Sequence, residues 1–296
     1  MVGKILNFGS LNIDYVYKVP HFVKPGETLA SQNLETFSGG KGANQTTALA
    51  RAGAQVSHAG KVGAGGGKLK EQLEKDGVDV HSIKESQTSN GHACIQVDPK
   101  GQNAILIYPG ANREITKEEI DEALSLFEKG DYLLLQNEIN LVDYLIEKGH
   151  KKNLKVCFNP APMGPEVLKY PLHLLDTLIV NETEAKALAR KAQIDQALNA
   201  LVELYPNTEL IVTIGAKGVL YRFQGEKWDI PAYKTNVIDT TGAGDTFTGY
   251  YLTAKLEGKS IEECLKFASK ASALCVSKQG AQSSIPTKEE VLRVFS

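Results

Sequence analysis

Short β-branched runs alternate with helical patterns along most of this chain, and that alternation restricts the fold more than any other feature. Strand candidates are residues 4–9, 55–60, 132–136, 155–159, 177–180 and 209–213. Helical segments such as 117–128, 141–151, 182–191 and 194–205 lie between them. Strand, helix and strand in succession make βαβ units, with parallel strands and helices on both faces of the sheet. The expected class is α/β, a central and mostly parallel sheet flanked by helices. Ligands of such sheets bind beyond the carboxyl ends of the strands. A chain of 296 residues could make one large domain or two small ones. No long linker, repeat or low-complexity tract divides it, so a single domain over 1–296 is expected.

Two stretches break the alternation. Residues 14–37 and 91–108 are strand-like without intervening helices. Residues 92–98 and 103–108 flank Pro99-Lys100-Gly101, a turn signal, and read as a hairpin. Together the two stretches predict a small antiparallel sheet projecting from the main one. The run Gly63-Ala64-Gly65-Gly66-Gly67 reads as a mobile loop.

Chemistry concentrates at two glycine-rich turns. The first is Ser38-Gly39-Gly40-Lys41-Gly42-Ala43-Asn44-Gln45, leading into a helical pattern (Ala43, Thr47, Ala50). The second is Asp239-Thr240-Thr241-Gly242-Ala243-Gly244-Asp245-Thr246-Phe247. It follows the apolar pair Val237-Ile238 and opens a helix whose Phe247, Tyr251 and Ala254 share a face. A strand-to-helix turn is the expected setting. Such a turn gathers unpaired N–H groups at the positive end of a helix dipole, which suits a phosphate. Asp245 in the first turn is either a helix-capping carboxylate or a base held where phosphate chemistry occurs.

Several function classes are disfavoured. Net charge is −2 and the basic residues form no patch with interleaved aromatics, so nothing points to nucleic acid. No run of about 18 apolar residues indicates a membrane span. Met1-Val2-Gly3-Lys4 leads directly into a strand-like run without a signal-peptide pattern, and a cytoplasmic protein is expected. Cys94, Cys157, Cys264 and Cys275 are widely spaced, with no Cys-x-x-Cys pair; Cys264 and Cys275 fit an apolar helix face. The six histidines show no metal-ligand spacing. The 63–67 run fails as a P-loop, because Val62 and Leu69 stand where Gly and Ser/Thr are required. It fails as a dinucleotide fingerprint because position 68 is Lys.

Taken in order, these motifs resemble the ribokinase family of carbohydrate kinases, also called the phosphofructokinase-B family. Both signatures are present, at 39–45 and 239–247. The resemblance continues through Ser10-Leu11-Asn12-Ile13-Asp14, Pro25-Gly26-Glu27-Thr28, Pro109-Gly110-Ala111-Asn112, Asn159-Pro160-Ala161-Pro162, Asn181-Glu182-Thr183-Glu184-Ala185, Thr213-Ile214-Gly215-Ala216-Lys217-Gly218 and Gln279-Gly280-Ala281-Gln282.

The resemblance implies transfer of the γ-phosphate of ATP to a primary hydroxyl of a small sugar, above all the 5-hydroxyl of D-ribose. Deoxyribose, another furanose or a nucleoside are the related alternatives, and a non-catalytic sugar- or nucleotide-binding regulator is the alternative of another class. It further implies that Asp245 is the base and that the backbone of Gly242, Ala243 and Gly244 forms the anion hole. Asn12, Asp14, Gly40, Lys41, Asn44, Glu138 and Asp245 are the implied sugar contacts. Asn181, Thr213, Gly215, Gly218 and Gly244 are the implied nucleotide contacts. Glu184 would hold Mg2+ through water. A monovalent cation, K+, would sit among Asp239, Thr241, Cys275, Lys278, Gly280 and Ser284. In the resembled family the small sheet, here about 14–37 and 91–108, is a lid over the sugar, and its outer face often pairs two subunits into a dimer.

Overall fold

The apolar runs become strands buried on both faces in a computed structural model that describes residues 3–294. Met1 and Val2, half of the segment read for a signal peptide, lie outside the described residues. The strands are β1 (Ile5–Phe8), β2 (Asn12–Lys18), β3 (Asn33–Gly39), β4 (Val56–Ala64), β5 (Ile83–Ser89), β6 (Gly91–Val97), β7 (Asn103–Tyr108), β8 (Tyr132–Gln136), β9 (Lys155–Asn159), β10 (Thr177–Asn181), β11 (Glu209–Thr213), β12 (Val219–Phe223) and β13 (Glu226–Ile230). The α-helices are α1 (Lys41–Arg51), α2 (Gly67–Lys75), α3 (Lys117–Ser125), α4 (Val142–Lys151), α5 (Glu182–Ala189), α6 (Ile194–Leu204), α7 (Ala243–Leu256), α8 (Ile261–Cys275) and α9 (Lys288–Val294).

Among the described residues, nine strands pair in the order β13-β12-β11-β10-β9-β8-β1-β4-β5. From β5 to β11 every pairing is parallel; β12 and β13 complete the sheet antiparallel. Side chains alternate between two cores. Ile5, Leu134, Cys157, Ile179 and Ile211 pack with Leu49, Tyr250 and Leu265 of α1, α7 and α8. Leu6, Leu135, Phe158, Val180 and Val212 pack with Ile120, Leu145, Leu188 and Leu198 of α3 to α6. Burial on both faces is why these strands read as continuous apolar runs instead of alternating ones.

The second sheet has the order β3-β2-β6-β7. Its β2–β3 and β6–β7 pairs are antiparallel, the latter being the hairpin expected at 92–108. The central β2–β6 pair is parallel, because each strand continues from the carboxyl end of a parallel strand of the main sheet, β1 and β5 respectively. Three buried asparagines tie this junction. Asn90 donates to Leu11 O, Asn112 accepts from Leu11 N–H, and Asn112 Nδ2 donates to Asn12 Oδ1 at 2.7 Å.

Two expectations need correction. Val237 and Ile238 belong to no strand and are 59% and 61% exposed, because the segment is held instead against the end of α8. The second glycine-rich turn is therefore reached from an irregular segment, held where Ile238 N–H donates to Val276 O. The 63–67 run is not a free loop: Gly63 ends within β4, Gly67 opens α2, and Gly66 N–H donates to Gly63 O. Its glycines answer a close approach. A Cβ on Gly63 would stand 2.2 Å from Thr88 O, and one on Gly66 would stand 2.2 Å from Asn90 Oδ1.

Candidate active site

The order of the main sheet reverses between β1 and β8, the place where an open α/β sheet leaves a crevice. A cleft of about 730 Å³ lies there. The carboxyl ends of β8 to β11 supply Glu138, Asn159, Asn181 and Thr213 to its wall. The amino ends of α1 and α7 supply Gly40, Lys41, Asn44, Gly242, Gly244 and Asp245. The small sheet covers it with Asn12 and Asp14 and with an apolar set, Ala93, Ile95, Ile105 and Ile107. Asn12 and Asp14 reach the cleft together because alternate residues of a strand share a face.

Glycine lets the two helix ends meet. A Cβ on Gly249 of α7 would lie 2.5 Å from Ala48 Cβ of α1, and one on Gly42 would lie 2.3 Å from Ser10 N. Gly40 and Gly242 cap α1 and α7 in the left-handed region, at φ 90° and 77°. Ala243 N–H turns back on Thr240 O at 3.3 Å. Around Gly244 nothing stands within 4 Å of a built Cβ, so open space lies on that side of its Cα.

Asp245 sits in the first turn of α7, 6% exposed. Asn44 Nδ2 donates to one of its oxygens at 3.1 Å and Gln45 Nε2 to the other at 2.9 Å. The carboxylate thus does not cap its own helix by a side-chain hydrogen bond; it is gripped by α1. Glu138 accepts from Ser10 Oγ and, at 2.8 Å, from Lys41 N–H.

The charges are strained against burial. Burial, with Glu138 next, raises the Asp14 carboxyl to about 6. Burial also raises Glu138, although Lys41 and the Ser10 hydroxyl oppose the shift. Asp245 foremost, then Glu138 and Glu184, hold the Lys41 ammonium above its usual value against desolvation. One cation set among carboxylates suits a ligand rich in hydroxyl groups, which can donate to the carboxylates and accept from the ammonium.

On the opposite wall Asn181 and Glu184 form a capping box. Glu184 N–H donates to Asn181 Oδ1 and Asn181 N–H to Glu184 Oε2, both at 2.9 Å. Glu184 is buried, and burial raises its carboxyl above the usual range. A buried carboxylate with an oxygen outside the capping box fits a hydrated divalent cation. Thr213 and Gly215 line the cleft, whereas Gly218 does not; there φ is 112° and a Cβ would strike Ile230 O.

Behind the second glycine-rich turn two loops are stapled by Asp239. Its carboxylate accepts from Thr241 N–H and Oγ1 and, across the gap, from Gly280 N–H at 2.9 Å. Cys275 Sγ and Ser284 Oγ stand 3.1 Å apart beneath them. The Lys278 ammonium turns away to Glu290 at 3.0 Å. Two loops drawn together by one half-buried acid could hold a monovalent cation.

Gln45, Gln136 and Asn159 received no role from the sequence, yet Gln45 contacts Asp245 and the other two contact Gln45. The available signal was a polar residue at a position otherwise apolar, as at Gln136 closing Leu133-Leu134-Leu135.

The model of the pfkB family carbohydrate kinase matches residues 2–288. A ribokinase of Haemophilus influenzae is 38% identical over 296 residues, covering 96% of this chain and 95% of its own. A ribokinase of Bacillus subtilis is 38% identical, covering 97% and 98%. The structure of Arabidopsis thaliana ribokinase complexed with ribose and ATP superposes with a TM-score of 0.87 at 31% identity, covering all of both chains.

Proposed function

The chain belongs to the pfkB family of carbohydrate kinases, and on that premise we propose that it transfers the γ-phosphate of ATP to the 5-hydroxyl of D-ribose. The observation that carries the reading is one cleft in which Asp245, at an anion-binding helix end, faces the polar array of Asn12, Asp14, Lys41, Asn44 and Glu138. Similarity to ribokinases over nearly the whole of each chain supports the choice of sugar.

In this reading Asp14 and Glu138 accept from sugar hydroxyls while Lys41, Asn12, Asn44 and the Gly40 backbone complete the grip. The sugar's primary hydroxyl then points at Asp245, which takes its proton. A placed base contributes about 10²–10⁴ in rate. The phosphate lies against the first turn of α7, where the backbone of Gly242, Ala243 and Gly244 and the helix dipole meet its charge. Asn181, Thr213, Gly215 and Gly218 hold or shape the nucleotide side. Glu184 would hold magnesium through water, which would supply neutralisation of the phosphates. Asp239, Thr241, Cys275, Lys278, Gly280 and Ser284 would hold K+, which would add positive charge behind the same turn.

The small sheet acts as the lid, built from 14–37 and 91–108 within one domain. Its outward face carries Leu34 on β3 and Leu106 on β7, 49% and 72% exposed, with Tyr108 two residues beyond Leu106. These exposed apolar groups are the basis for proposing a homodimer through the lid. No helix of the described residues is long and apolar enough to cross a membrane, and a cytoplasmic enzyme is proposed.

A coupled ADP-release assay with ATP, magnesium and potassium tests the function across ribose, deoxyribose, other pentoses, hexoses, sugar phosphates and nucleosides. Ribose should turn over fastest, with phosphate on C5. Faster turnover of another member would reassign the substrate. Silence across the panel from folded, ATP-binding protein would favour a non-catalytic binder.

A further inference from the structure

A chain of buried polar side chains runs from Asp245 away from the cleft and ends on a backbone carbonyl. Gln45 Nε2 donates to Asp245 Oδ1 at 2.9 Å and to Asn159 Oδ1 at 3.1 Å. Gln45 Oε1 accepts from Gln136 Nε2 at 2.7 Å, and Gln136 Nε2 also donates to Asn7 Oδ1 at 2.9 Å. Asn7 Nδ2 donates to Thr46 Oγ1 at 2.7 Å and to Gly42 O at 2.8 Å. Thr46 Oγ1 meets His58 Nδ1 at 2.7 Å, and His58 Nε2 meets Gly9 O at 3.3 Å. Asn7, Gln45, Thr46, His58 and Gln136 have no exposed surface.

The direction of every bond is determined from the ends. Gly9 O can only accept, so His58 carries its proton on Nε2 and accepts on Nδ1. Burial pushes His58 down to about 4, so it is neutral near pH 7. Thr46 therefore donates to His58 and must accept from Asn7. Asn7 then offers its oxygen to Gln136, and Gln136 offers its amide to Gln45. A second anchor agrees: Asn159 Nδ2 is bound to Ile179 O, leaving Asn159 Oδ1 toward Gln45. With Gln45 reversed, its oxygen would face Asp245 and Asn159 Oδ1, and Gln136 would lose its acceptor. Five side chains thus specify which end of one amide meets the carboxylate.

We propose that Gln45 is a positioning residue for the phosphoryl-transfer base: the buried chain through Gln136, Asn7, Thr46 and His58 locks its amide so that Asp245 always receives an N–H. The proposal rests on Asp245 being the base. Gln45 does not line the cleft; it touches the cleft wall at Asp245 and at Asn159, and of these only Asp245 is read as a reacting group. The donor, with Asn44 on the other oxygen, fixes the rotamer that faces the sugar. The charged groups that act on this part of the cleft are Lys41, Glu138 and Glu184.

The test compares Gln45→Leu and the near-isosteric Gln45→Glu with wild type and Asp245→Asn. The readouts are kcat and KM for ribose at pH 7.5. Gln45→Leu should lower kcat about 10- to 100-fold, with ribose KM within about threefold. Gln45→Glu sets a second carboxylate where Asp245 Oδ1 and Asn159 Oδ1 each met a donor, and should lower kcat at least as much. Should the leucine variant fail to fold, the glutamate variant alone decides. Unchanged kcat in a folded Gln45 variant, with Asp245→Asn inactive, overturns the positioning role. Near-normal turnover by Asp245→Asn overturns the base and the positioning role with it.

Discussion

Replacing Asp14 by Asn should make the free protein more stable while weakening its hold on ribose. Asp14 is read as a sugar ligand kept in an unfavourable setting until the sugar arrives. Its carboxyl is raised from 3.8 to about 6, chiefly by burial and then by Glu138. In the unfolded chain it ionises near the ordinary value. The penalty of the buried anion therefore appears as pH rises through the unfolded value and is complete above pH 6. A shift from 3.8 to about 6 corresponds to at most about 3 kcal/mol at pH 7.5. The same relation leaves about 0.6 kcal/mol at pH 4.

An amide has nearly the same shape, so Asp14→Asn should recover part of that penalty without a clash against Gly39, which packs on this side chain. At about 2 °C per kcal/mol for a chain of this size, the upper limit is a Tm rise of about 6 °C. Losing a charged acceptor for a sugar hydroxyl should weaken ribose binding about 10- to 100-fold. Thermal scans of both proteins from pH 4 to 8, with ribose calorimetry at pH 7.5, supply the comparison. A variant no more stable than wild type at pH 7.5, or a gap that does not close toward pH 4, would refute the reasoning.

Three further outcomes are expected. Asp239→Ala removes the staple to Thr241 and Gly280, so the rate ratio between potassium and tetramethylammonium salts should fall toward one; an unchanged ratio would separate the loops from cation activation. Gly244→Ala should stabilise α7 by about 0.5–1 kcal/mol in thermal melts, yet lower kcat about tenfold or more because its methyl enters the phosphate space; undiminished kcat would place the phosphate elsewhere. Leu106→Glu should leave a folded chain that sediments as a monomer, and an unaltered sedimentation coefficient would remove the lid face as the dimer contact.

The layered fold was legible because its parallel strands are apolar on both faces. β8, β9 and β11 carry the boundaries their sequences predict. Edge elements were less visible. β5 reads Ile-Lys-Glu-Ser-Gln-Thr-Ser, with only its first residue in the core, so it lacks the apolar signal of its neighbours. The β12–β13 hairpin turns at Gln224-Gly225, both at positive φ, a usable cue beside the alternation of Val219 to Phe223. Val237-Ile238 has strand composition but runs against the end of α8, where Ile238 N–H donates to Val276 O. The glycines of 63–67 reflect backbone proximity to Thr88 and Asn90, contacts invisible to local pattern.

At the site, both glycine-rich turns carried their own signal. Their meeting did not, since Asn44 and Asp245 lie 201 positions apart. The support beneath Asp245 was hidden for another reason. Asn7, Gln136 and His58 look like interruptions of apolar strands until the fold aligns them.

The most direct test of the central claim is ribose-dependent ADP release by wild type and Asp245→Asn, with ribose affinity measured in parallel. Loss of the base should cut kcat by about 10² or more while ribose affinity stays within about threefold of wild type. Turnover near the wild-type rate in Asp245→Asn, or no ribose-dependent ADP release from the wild-type enzyme, would contradict the account.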